Sequence, residues 1–248
     1  MDLTKYNKKK YSNGEIISEF IIDYVSTNNC SNILFVRTPT TGAWLDNIFQ
    51  SEQNLNITRI LYQTNKTNMK YTCSLSTIIT ESENFSKILS DLDKKYDLIC
   101  VDIFHEYTES IRDFELFEKY LDYNAEKSTI ISHDCYPPSK QYAIPNFFIG
   151  NWCGHTFIAF IEFAYKNPHL YYGLINIDTG IGIVSTNNST GFLKNDLDTI
   201  TQKKLLDVYK GTNHKSPNKK KLKKSDIYNF FCKNSTSLIN SINLHEIK

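Results

Sequence analysis

Two short apolar runs, residues 96–103 and 128–132, stand either side of a stretch with helical spacing, and this pattern constrains the fold more than any other feature. The first run is nearly continuous in apolar side chains, as in a strand covered on both faces, and it carries Asp102 near its end. Residues 108–123 follow as a helix whose buried side takes Ile111, Phe114, Leu116, Phe117 and Leu121. The second run leads into His133-Asp134 and is closed by Pro137-Pro138. A strand, a helix and a second strand in that order predict a parallel pair joined by a crossover helix.

The same alternation extends in both directions. Ile16, Phe20, Ile21 and Val25 predict a helix over 15–25, and 32–36 reads as the first buried strand. After a Thr/Pro turn, 42–49 reads as a helix with Trp44, Leu45, Ile48 and Phe49 inward. Strands are predicted over 58–62 and 74–80, and a helix over 85–92. Residues 152–165 form another apolar helix, and 170–178 and 182–185 flank the turn Thr179-Gly180 as an antiparallel hairpin at one sheet edge. Residues 196–209 are helical, and Ser225 caps a further helix to about Asn234, with 238–247 forming one more. The predicted class is α/β, a mostly parallel sheet with helices on both faces. It forms a single domain over 1–248, with a helical extension over 1–30, a lysine-rich loop over 211–224 and a helical segment over 225–248.

Composition sets outer limits. With 40% hydrophobic residues among 248, the chain can bury a core without disulfides. A net charge of +1 offers no global field for nucleic acid or membrane. The basic runs at Lys8-Lys9-Lys10 and 219–224 read as a solvated tail and loop, with a basic interaction surface as the alternative. Six cysteines form no CxxC pair, and Cys100 lies inside an apolar strand. Neither a secretory signal nor a run of about 18 apolar residues is present, so the expectation is a cytoplasmic protein with no membrane span.

In parallel sheets the ligand crevice lies beyond the carboxyl ends of the strands. Asp102-Ile103-Phe104-His105 and His133-Asp134 both fall there. Such acids and imidazoles serve as general bases toward a hydroxyl, or hold a divalent cation. A purely structural reading stands beside this one, with Asp102 capping the next helix and His133 packed under a loop. Trp44 and Trp152 read as core or lid residues. His155 either faces water at a helix start or joins the site. Gly180-Ile181-Gly182 is a turn with no helix start behind it, and 38–42 lacks the lysine of a nucleotide P-loop.

The segment from Tyr96 through Asp102-Ile103-Phe104-His105-Glu106-Tyr107, then Asp113, then Ile130-Ile131-Ser132-His133-Asp134, resembles the second half of class I SAM-dependent methyltransferases. It is most similar to the group with an Asp-x-x-His-x-Tyr strand end and a later His-Asp strand end. His133-Asp134-Cys135-Tyr136-Pro137-Pro138, Asn151-Trp152-Cys153-Gly154-His155 and Asp178-Thr179-Gly180-Ile181-Gly182 resemble segments of bacterial methyltransferase-like proteins found with surface-glycan genes. The resemblance implies a Rossmann-like methyltransferase fold and S-adenosylmethionine as cofactor, with a divalent cation as a second candidate. It further implies methyl transfer to a hydroxyl of a small molecule or of a sugar in a surface glycan. His133, Asp134 and His105 would carry the chemistry, and Gly42, Gln63 and Asp102 would bind the cofactor. No residue is set aside as a metal ligand, and self-association into a homo-oligomer is left open.

Phe35, Arg37 and Pro39 stand where that superfamily places an acid and glycines after the first strand, and only Gly42 remains. The second strand ends in Tyr62-Gln63-Thr64-Asn65, where an acid normally takes the ribose hydroxyls, leaving Gln63 or Asn65 for that role. These departures motivate an alternative function: a methyltransferase fold without SAM, acting as a binding or assembly subunit or using another donor.

Overall fold

The computed structural model describes residues 2–7, 15–38, 42, 48, 55–63, 77–81, 84–102, 104–146, 152–188, 190–211, 224–242 and 244. The strands are β1 (Asn32–Arg37), β2 (Asn56–Gln63), β3 (Thr77–Glu81), β4 (Leu98–Asp102), β5 (Thr129–Ser132), β6 (Tyr171–Ile175), β7 (Ile181–Ser185) and β8 (Ser241–Ile242). The helices are α1 (Glu15–Asn28), α2 (Phe85–Leu92), α3 (Tyr107–Glu118), α4 (Thr156–Lys166), α5 (Thr199–Tyr209) and α6 (Ile227–Ile239). Apart from Gly42 and Ile48, the predicted helix at 42–49 lies outside the described residues, as does most of the predicted lysine-rich loop.

The strands form one sheet in the order β3-β2-β1-β4-β5-β7-β6-β8. From β3 to β5 every pairing is parallel, and β7 alone is reversed, antiparallel to both β5 and β6. The link from β6 to β7 is too short for a crossover, so these two strands must run antiparallel. Because β6 runs with β5, the β6–β7 turn falls at the end of the sheet where β4 and β5 terminate. That end is the ligand edge of a parallel sheet.

Both faces of the sheet are covered. On one, α1 packs Ile17, Phe20, Ile21 and Tyr24 against Ile33, Phe35, Leu98 and Ile131 of β1, β4 and β5. On the other, Phe114 and Phe117 of α3 and Phe157, Phe160 and Phe163 of α4 meet Ile99, Val101 and Ile130. Fully burying side chains of this size contributes roughly 1.5–3 kcal/mol each. Among the described residues no helix is long and apolar enough to cross a membrane, and Cys30, Cys100, Cys135, Cys153 and Cys232 are free.

Helix α5 begins at Thr199, capped by Asp198, rather than at 196, and β6 ends at Ile175 rather than 178; larger departures fall in three places. Helix α3 stops at Glu118 rather than 123, because Leu121 is drawn into a parallel bridge with Tyr96 and is fully buried there. Helix α4 begins at Thr156, and the preceding 152–155 instead wrap the loop after β4. At the C-terminal end α6 runs unbroken to Ile239, with Asp226 rather than Ser225 at its N-cap. Asn240 then turns left-handed at φ 54°, donates to the Tyr172 and Phe192 carbonyls, and sends Ser241–Ile242 out as β8 beside β6. Asn accepts that conformation at low cost, so in place of the helix expected over 238–247 the described residues 240–242 turn and form a strand, while 243 and 245–247 lie outside the described residues.

Candidate active site

Strand pairing alone sets Asp102 beside His133, since the His133 amide donates to the Val101 carbonyl at 3.1 Å. Asp134 follows with φ 58°, a left-handed turn that brings its carboxylate back over the strand ends. His105 lies three residues beyond Asp102, and its carbonyl accepts the His155 amide at 2.7 Å. Gly154 makes that approach feasible, because a Cβ there would lie 2.2 Å from the His105 oxygen.

The four side chains close into a ring of alternating acids and imidazoles. Asp102 Oδ1 is 3.3 Å from His105 Nε2, and Asp102 Oδ2 is 3.4 Å from His133 Nδ1. Asp134 Oδ2 is shared, 3.1 Å from His105 Nε2 and 3.4 Å from His133 Nδ1. Outside the ring, His105 Nδ1 meets the Trp152 carbonyl at 2.5 Å. His133 Nε2 meets Asp178 Oδ2 at 3.1 Å and Thr179 Oγ1 at 2.9 Å.

Burial by itself would discharge these groups, and their mutual contacts overrule it. Desolvation raises the Asp102 carboxyl, but hydrogen bonds from His105 and His133 hold it well below the usual carboxylate range. Asp134 is likewise held low by the charges of His133 and His105 against the cost of burial. Burial lowers both imidazoles, yet the Asp134 carboxylate, then Asp102, lifts His105 above its ordinary value and His133 well above it. Free of any cation, the ring is a doubly paired ionic cluster.

The same geometry fits a divalent cation. A carbonyl can only accept, so Nδ1 of His105 carries the hydrogen and Nε2 turns a lone pair inward when the ring is neutral. Second-shell contacts of this kind orient metal-binding histidines. Ligand atoms of Asp102, His105 and Asp134 all lie within 4.8 Å of one another. Their 3.1 and 3.3 Å separations match the about 3 Å between neighbouring ligands around a cation with bonds near 2.1 Å. Mixed imidazole and carboxylate donors suit manganese, iron or zinc as well as magnesium.

Of the candidates read from sequence, Asp102, His105, His133 and Asp134 come together. Gly42 lies over the same edge at φ 65°, where a Cβ would meet Arg37 Cβ at 2.8 Å and Asp102 Cβ at 3.0 Å. Gln63 closes β2, two strands away from β4. Asp102 does not cap α3, whose N-cap is Glu106. Trp152 is buried core, its indole N–H bonded to the Ile144 carbonyl at 2.7 Å and its ring 5.4 Å from that of His105. The half-buried His155 ring does not enter the cluster, and its Nδ1 pairs with the Tyr209 hydroxyl at 2.8 Å. Sequence reasoning missed Asp178 and Thr179 as site residues. The Asp178-Thr179-Gly180 segment was the available signal, read there as a turn and as part of the family resemblance but given no role in the site.

No protein-family model matches the chain, and no curated protein matches it. Solved structures do. One, named as a caffeoyl-CoA O-methyltransferase from Staphylococcus aureus, is 18% identical over 74% of this chain and 88% of its own, with a TM-score of 0.52. An O-methyltransferase from Bacillus cereus, in complex with SAH, is 12% identical over 74% of this chain and 86% of its own, with a TM-score of 0.47. At 18% identity the first likeness establishes the fold. The chain has a Rossmann-like methyltransferase fold, with the reversed seventh strand seen above.

Proposed function

We propose that this chain is a SAM-dependent O-methyltransferase acting on a hydroxyl. The observation that carries the reading is the ring of Asp102, His105, Asp134 and His133 at the ligand edge of a methyltransferase-type sheet. SAM supplies a methyl group on a sulfonium, ready for in-line displacement by an oxygen. Gly42 brings the segment after β1 over Asp102 without a side chain, where the backbone can approach the cofactor, and Gln63 at the end of β2 is the candidate for the ribose hydroxyls. Asp102, His105 and Asp134 would hold a divalent cation, whose charge acidifies a hydroxyl beside it.

With Asp102 and Asp134 committed to the cation, the charges that keep His133 protonated would be neutralised, and its Nδ1, the ring nitrogen facing both carboxylates, would take the proton of that hydroxyl. His105 is the poorer base, since its other nitrogen is tied to a main-chain carbonyl and its Nε2 points at the cation position. Positioning of the acceptor oxygen against the methyl provides most of the acceleration. The acceptor class the sequence resemblance favours is a hydroxyl of a small molecule or of a sugar in a surface glycan.

Calorimetric titration with SAM and SAH tests the reading. Binding is expected, and its absence at millimolar concentration would remove the methyltransferase. A second reading, the fold without SAM, draws on Arg37. This arginine is 5% exposed at the end of β1, with Nη1 donating to the Thr38 carbonyl at 2.9 Å, near the expected place of the methionine end of SAM. The same titration separates the two.

A further inference from the structure

We propose that Asp178, at the β6–β7 turn, is the positioning residue that keeps His133 turned with Nδ1 toward Asp102 and Asp134. The inference rests on the reading above and assigns a role to a part of the site that it leaves unexplained. An imidazole wedged between acids can present either nitrogen inward, and its outer partner decides which. Here the outer partners are Asp178 Oδ2 at 3.1 Å and Thr179 Oγ1 at 2.9 Å from Nε2. A carboxylate accepts, so the Nε2 hydrogen is held by Asp178 and the ring cannot turn Nδ1 away from Asp102 and Asp134.

The turn is bolted to the segment it serves. The amides of Cys135 and Tyr136 donate to the carbonyls of Gly180 and Thr179 at 3.1 and 2.8 Å. Gly180, at φ 90°, lies so close that a Cβ would come within 2.2 Å of the Tyr136 nitrogen. Asp178 itself takes a left-handed backbone at φ 52°, uncommon for a residue with a side chain, and this aims its carboxylate at His133. Three backbone constraints therefore converge on one side-chain contact. His105 is treated in parallel by a different loop, through the Trp152 carbonyl. Outer contacts of this kind set the tautomer and aim of the imidazole, and their loss typically costs about 10–100-fold in cation affinity or rate.

Two measurements test it on the full chain: long-range proton–nitrogen spectra of the His133 ring without metal, and Mn²⁺ titration. The His133 signals are identified by their loss in His133→Gln. In the wild type, Nε2 and Nδ1 are expected as two distinct protonated nitrogens in one fixed ring orientation. In Asp178→Ala the ring loses its outer partner, so both nitrogen signals should shift and broaden as its orientation is released, and Asp178→Glu should restore them in part. Mn²⁺ affinity, set by Asp102, His105 and Asp134, should hold in Asp178→Ala, while the rate falls about 10–100-fold and less in Asp178→Asn, whose amide oxygen still accepts. With methyl transfer as readout, kcat should fall while KM for the acceptor holds. Wild-type ring signals in Asp178→Ala, or in the isosteric non-accepting Asp178→Leu if the alanine variant does not fold, would overturn the proposal. Wild-type protein that binds no Mn²⁺ removes the cation from the proposed function, and the spectra still decide the role of Asp178.

Discussion

His105 and Asp134 leave the sheet from different strands, yet Nε2 of the one lies 3.1 Å from Oδ2 of the other. That contact joins the loop after β4 to the turn after β5, and with Asp102 and His133 it makes one electrostatic unit. The folded-state values of Asp102 and Asp134 are depressed, so their stabilisation is present above their ordinary 3.8 and is lost as pH falls through the depressed values. Those of His105 and His133 are raised, so theirs is present below the ordinary 6.5 and is lost as pH rises through the raised values. In chelator-treated protein, His105→Ala should therefore cost most between pH 3.8 and 6.5. Removing one partner from a buried ionic cluster costs about 3–5 kcal/mol. Denaturant titrations across pH, wild type against variant, check both window and size. A pH-independent difference would mean packing alone is lost.

Asp113 behaves in the opposite sense from the acids of the ring. Burial pushes its carboxyl from 3.8 up to about 7, although the Arg112 guanidinium bonds Oδ1 at 2.9 Å. Its Oδ2 meets no donor among the described residues. An acid that holds its proton more tightly when folded stabilises below its unfolded value, and that stability is lost as pH rises toward about 7. Asp113→Asn, neutral at every pH, should then be more stable than wild type at pH 8, by as much as about 4 kcal/mol. Equal stabilities at pH 8 would show that the ionised carboxylate is accommodated.

Gly154→Ala should disturb the site without touching a polar side chain. The new Cβ would stand 2.2 Å from the His105 carbonyl oxygen, at φ 54°. Gly191→Ala is the control, since its φ of 77° carries a similar conformational penalty with nothing within 4 Å. The control should cost about 1–2 kcal/mol. Gly154→Ala should cost clearly more and weaken Mn²⁺ binding, as read by denaturation and by titration.

Glu162 ties three helices together behind the site. Its carboxylate accepts from Tyr107 at the start of α3 and, at 2.8 Å, from Lys210 just past α5, and pairs with Lys166 of α4 at 3.1 Å. Glu162→Ala should loosen the end of α5, with faster amide exchange over 206–210 and a stability loss of about 1–3 kcal/mol. Unchanged exchange there would mean that α5 is held by its apolar contacts alone.

Much of the fold was legible because burial on both faces forces apolar continuity. The runs around Leu98–Asp102 and Thr129–Ser132 announced β4 and β5, and the polar residues that break them announced the site. The helix over 85–92 was placed to the residue, since its apolar face and flanking polar residues agree. Where local pattern met a long-range demand, local pattern lost. Leu121 has helical spacing but is pulled into the bridge with Tyr96, and Leu238 to Leu244 read as a helix until Asn240 finds the Tyr172 and Phe192 carbonyls.

The sequence by itself determined that two acids and two histidines would stand at adjacent strand ends, because strand order and strand direction follow from pattern and from short connections. Only the tertiary structure decided what surrounds them. Trp152 is 47 residues from His105 and Asp178 is 45 from His133, so neither contact leaves a local trace. The reversal of β7 places the β6–β7 turn at the ligand edge, and the left-handed Asp178 aims a carboxylate from it. An imidazole takes its role from the group that holds its outer nitrogen, and that group is supplied by the fold.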